Sequence, residues 1–63
     1  MNEERNKLRL TIEMFENKLK RYTESIQTAE RNGDDKLVAA YLSVYKDAQE
    51  KLTELRKEYA DKF

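Results

Sequence analysis

The chain has 63 residues, 41% charged and 38% apolar, with thirteen basic side chains balancing thirteen acidic ones to a formal net charge of zero. That length allows one small domain, and a chain lacking both cysteine and histidine has no disulfide, thiolate nucleophile, histidine base or sulfur-bound metal to draw on. No apolar run reaches the roughly 20 residues of a bilayer span, and Met1, Asn2, Glu3 and Glu4 do not begin a signal-peptide pattern, so the expected setting is cytoplasmic.

In chain order, the first predicted element is a helix over about 3–31, rich in Glu, Lys, Arg and Leu, all good helix formers. Its apolar residues Leu8, Ile12, Phe15, Leu19, Tyr22, Ile26 and Ala29 alternate steps of four and three, which is the heptad spacing of a coiled-coil seam. Gly33 is the only glycine and there is no proline, so residues 32–34 are the one place where the pattern can turn. A glycine in left-handed conformation ends a helix, and either Asp34 or Asp35 can cap the next. A second helix is then predicted over about 35–62, with Val38, Tyr41, Tyr45, Ala48, Leu52, Leu55 and Tyr59 as its seam.

Folding the chain back at Gly33 pairs Ala29 with Val38, Ile26 with Tyr41, Tyr22 with Tyr45 and so on outward to Leu8 with Tyr59, and each pair of numbers sums to 67. The two seams therefore stay in register along an antiparallel helical hairpin. Beyond them Arg5 meets Lys62, a like-charged pair expected to fray the open end. The fold class read from this pattern is all-α, one hairpin domain over residues 1–63 with a short glycine-containing turn.

A two-helix hairpin has a single internal interface and leaves the far side of its core wet. Leu37, Ala40, Tyr41, Leu42 and Val44 widen the apolar arc of the second helix near its start, and Leu10 with Met14 lie off the seam of the first. These seven residues are the candidate protein interface. Self-association as a homodimeric four-helix bundle is the simplest way to cover them, with a further protein partner on the remaining faces.

Carboxylates are plentiful, but Glu13 with Glu16 and Glu50, Glu54 and Glu58 fall outside the seam, where helix-surface ion pairing explains them. Opposite charges four apart, such as Glu16 with Lys20, fit that role. Neither a catalytic constellation, a metal site nor a cofactor site is predicted. The function expected is therefore that of a small non-enzymatic interaction or regulatory protein, fitting a bacterial or phage accessory protein in size. Two alternatives stand beside it: a basic face carrying Lys18, Lys20 and Arg21 that contacts RNA, and a structural subunit of a hetero-oligomeric helical bundle.

In length and hairpin plan the chain resembles the plasmid repressor-of-primer proteins. The resemblance implies an antiparallel dimer of hairpins that binds paired RNA loops. It is one of architecture, and no functional residue of that family is carried onto this chain.

Overall fold

The computed structural model describes residues 3–63; Met1 and Asn2, which the expected domain includes, lie outside the described residues. Helix α1 runs Glu3–Arg31 and helix α2 runs Asp35–Lys62, packed against each other as a hairpin 49 Å long and only 15 Å and 11 Å across.

The connection is made by hydrogen bonds that the local sequence supplies. Gly33 sits at φ +68°, a left-handed conformation that costs glycine little and other residues about 1–2 kcal/mol. Its N–H donates to the Glu30 carbonyl at 3.1 Å, and the Asp34 N–H donates back to the Ala29 carbonyl at 3.0 Å. Together these two bonds form a Schellman ending, which satisfies carbonyls that the last turn of α1 would otherwise leave open. Asp34, rather than Asp35, is the cap: its Oδ1 accepts from the Leu37 N–H at 3.1 Å. Asp35 lies in the first turn, where its charge favours the positive end of α2. Replacing Asp34 by alanine should therefore cost about 1 kcal/mol and Asp35 by alanine only a few tenths. Urea unfolding of the two variants checks the order; equal losses would remove the cap assignment.

All fourteen predicted seam residues are buried or half-buried, and Ala29, Ala48, Leu52 and Leu55 form the most enclosed part of the core. Large residues opposite alanines keep the helices close around these positions. The tyrosines pack diagonally: the Tyr22 ring lies 6.5 Å from that of Tyr41, one turn from the Tyr45 that shares its level by number. A ring that long can cross between layers of a two-helix interface and keep its hydroxyl at the rim.

At the open end both helices stay wound through the like-charged pair expected to separate them. Arg5 Nε donates to the Tyr59 hydroxyl at 3.0 Å, Lys62 Nζ donates to Glu58 Oε1 at 3.0 Å, and the Phe63 ring packs 5.6 Å from Tyr59. Each cation has found its own partner, so repulsion between them does not set the structure. The Glu58 hydrogen bond and charge also hold the Lys62 ammonium above its ordinary pKa. Glu16, expected to pair along its own helix with Lys20, instead accepts from Arg56 Nη2 across the interface at 2.9 Å, while Arg9 and Glu13 pair along α1 at 3.2 Å.

Candidate functional site

The two sides of the hairpin can be told apart by following residues seven apart, which share a helix face. On α1 the column Glu4, Thr11, Lys18, Ser25 and Asn32 flanks the seam, and on α2 the column Leu37, Val44, Lys51 and Glu58 does the same. A groove near the turn is lined by Ser25, Asn32 and Leu37 among others, and a groove near the open end by Glu4, Thr11 and Glu58. Both columns therefore border one face. The Glu16–Arg56 ion pair marks the opposite face.

This assignment divides the seven candidate interface residues. Leu37, Ala40, Tyr41 and Val44 share the grooved face near the turn, where Leu37 and Val44 each leave 41% of their surface in solvent. Leu42 follows Leu37 by five positions, about 140° around the helix, and shares the column of Arg56 on the other face. Leu10, at 56% exposure the most solvated of the large apolar side chains described, lies on the outer side of α1, whereas Met14 shares the column of Lys7, Arg21 and Thr28, which line the two grooves, and borders the grooved face toward the open end. Leu10 and Met14 stand about 20 Å along the hairpin from the Leu37 stripe, as the helical rise sets it.

The basic cluster divides in the same way. Lys18 and Arg21 border the grooved face, with the Lys18 ammonium 5.1 Å over the Phe15 ring. Lys20 shares its column with Glu13 and Gln27 and points elsewhere. The helix thus does not gather Lys18, Lys20 and Arg21 onto one phosphate-binding ridge. Among the described residues, no three carboxylates come together as a group able to hold a metal ion, and no helix is long and apolar enough to cross a membrane.

The surface area of the hairpin is large for its mass. A compact monomer of 7.6 kDa exposes about 4,300 Å², whereas this chain exposes 5167 Å². The excess, roughly 900 Å², is close to the ~800 Å² that one partner contributes to a standard protein–protein interface. No protein-family model, curated protein or solved structure matches the chain.

Proposed function

We propose that this chain is a non-enzymatic interaction protein that works as a self-associated pair of hairpins, a four-helix bundle whose outward faces are left to engage a further protein. The observation that carries the reading is the grooved face: an apolar stripe of Leu37, Tyr41 and Val44 beside the turn, on a molecule that exposes roughly 900 Å² more than its mass requires. A second copy supplies the missing cover with the same residues, as a two-fold contact demands. Neutral net charge and mixed-sign helix surfaces favour association over repulsion at neutral pH.

Sedimentation equilibrium across a concentration series tests the proposal. The chain should approach twice 7.6 kDa, and changing both Leu37 and Val44 to Glu, which sets like charges across a two-fold contact, should weaken the pair at least about 100-fold, equivalent to ~2.7 kcal/mol, while far-UV helix signal is kept. Unchanged mass in the double variant would remove this face from the interface. A mass of 7.6 kDa for the unaltered chain at every concentration would remove self-association itself.

A further inference from the structure

We infer that the outer side of α1, in the open half of the hairpin, is a docking site for an acidic amphipathic helix of a different protein. The inference rests on the reading of the chain as an interaction protein and names the chemistry of its further partner, without depending on self-association. Its basis is a sorting of side chains around α1. Lys7, Leu10, Met14, Lys18 and Arg21 share one arc of about 120° along about 21 Å of helix, with Thr11 and Asn17 completing it. Leu10 and Met14, one turn apart at 56% and 51% exposure, form the apolar centre, and the three cations surround them. Among the described residues no carboxylate falls inside that arc between Lys7 and Arg21: Glu13 is turned away with Arg9 and Glu16 with Arg56, while Glu3 and Glu24 lie beyond its two ends. None of the three cations is held in an ion pair within the described hairpin, and Lys18 alone of them has a close partner, the Phe15 ring.

Charge and width together select the occupant. Three cations around two apolar side chains are complemented by a helix that carries apolar residues three or four apart, flanked by aspartate or glutamate. Arg21 can take a carboxylate through two parallel hydrogen bonds, and the unbranched Met14 adapts to the shape laid upon it. A helix is about 10 Å wide and can lie along α1 alone. Beside α1, at the spacing of about 8–10 Å between packed helices, the corresponding column of α2 carries Asp47, Glu54 and Asp61. A nucleic-acid duplex or an anionic bilayer is broader than one helix and would bring phosphate against those carboxylates, which opposes binding.

A second copy of this chain does not supply the occupant. Its acidic helix is α2, whose outward columns read Ala40, Asp47, Glu54, Asp61 and Ser43, Glu50, Lys57. They complement the cations in charge but hold no apolar side chain larger than alanine, so they would leave carboxylates rather than apolar cover on Leu10 and Met14, at a desolvation cost. The zero net charge of the chain thus conceals a division in the open half, with cations on the outer side of α1 and an excess of carboxylates on that of α2. The first of these sides also carries the large apolar residues, and a partner with both acidic and apolar side chains satisfies it.

Fluorescence anisotropy with a labelled synthetic probe tests the site. The probe is a capped peptide of about 18 residues, long enough to span the arc, made of alanine and glutamate with leucines at steps of three and four. At low salt it should bind the unaltered chain saturably, and Leu10→Ala with Met14→Ala should weaken binding at least about tenfold, as should Lys7→Gln with Arg21→Gln. Lys46→Gln with Lys57→Gln removes the same net charge from α2 and should change affinity by no more than about threefold. All six positions are exposed, and the far-UV helix signal confirms that each variant is folded. Equal losses from the two charge variants, undiminished binding by the alanine variant, or no binding by the unaltered chain would each overturn the site. Tighter binding of an RNA hairpin or of phosphatidylserine vesicles than of the peptide would overturn the acidic helix as its occupant. Sedimentation of the unaltered chain keeps the two readings apart: a dimer that takes up no peptide rejects this site alone, and a monomer that binds it keeps the site and rejects the pairing.

Discussion

Replacing Leu52 by alanine is expected to remove about 3 kcal/mol of stability, a large share of the roughly 3–9 kcal/mol available to a chain of this size. Leu52 keeps only 4% of its surface in solvent and belongs to the four most enclosed side chains described. In the register of the hairpin it faces Phe15, with Ala48 and Leu55 flanking it on α2, and side chains fixed on packed helices relax only partly into the space, so the cavity adds to the lost transfer free energy. In a small domain each kcal/mol moves the midpoint by about 4–8 °C, so the melting temperature should fall by roughly 10–25 °C. The measurement is far-UV thermal unfolding at one fixed protein concentration, since association makes the midpoint concentration-dependent. Leu10→Ala is the control: the same chemistry at a solvated position should change stability by no more than about 0.5 kcal/mol. Similar losses at the two positions would mean that the core does not lie along the predicted seam.

The contrast between Leu52 and Leu10 shows what the sequence makes legible. A step of three or four residues selects one side of a helix, and two such stripes that keep a constant sum of residue numbers can bury each other along their whole length. Leu10 breaks the step and is solvated; Leu52 keeps it and is enclosed. Thr11 and Ser25 are half-buried without being apolar, because they flank the seam where the helices approach. The Thr11 hydroxyl meets its hydrogen-bonding need locally, donating to the Lys7 carbonyl at 2.9 Å.

Side-chain reach was harder to read. Helix spacing gives Glu16 equal access to Lys20 along α1 and to the facing helix, and only the lateral placement of Arg56 decides between them. The choice of Asp34 over Asp35 as cap depends on where the chain leaves the left-handed turn, a matter of one residue that composition does not specify. The division of the candidate interface was available in principle. Leu42 lies five residues from Leu37 but two from Val44, and proximity along the chain concealed an angular separation that sends it to the far face.

Gly33→Ala is expected to change both stability and shape. A Cβ at position 33 meets nothing within 4 Å, so the penalty is conformational: about 1–2 kcal/mol to hold φ near +68°, or a fall of roughly 5–15 °C in the melting temperature. Gly33→Asn should lose less, because asparagine tolerates the left-handed region better. Alanine also favours the helix by about 1 kcal/mol over glycine, and here that gain accrues to the competing conformation in which α1 runs on into α2. Such a rod of about 60 residues would be ~90 Å long, against 49 Å for the hairpin. Its seam would be exposed unless two chains lay side by side, so the extended form should appear with rising concentration as an exchanged pair. Small-angle scattering of Gly33→Ala over a concentration series should therefore show a growing maximum dimension, while Gly33→Asn stays compact. If the alanine variant instead melts within about 2 °C of the unaltered chain and keeps its dimensions, the left-handed glycine is not what holds the reversal, and the seam contacts alone bring the two helices back upon each other.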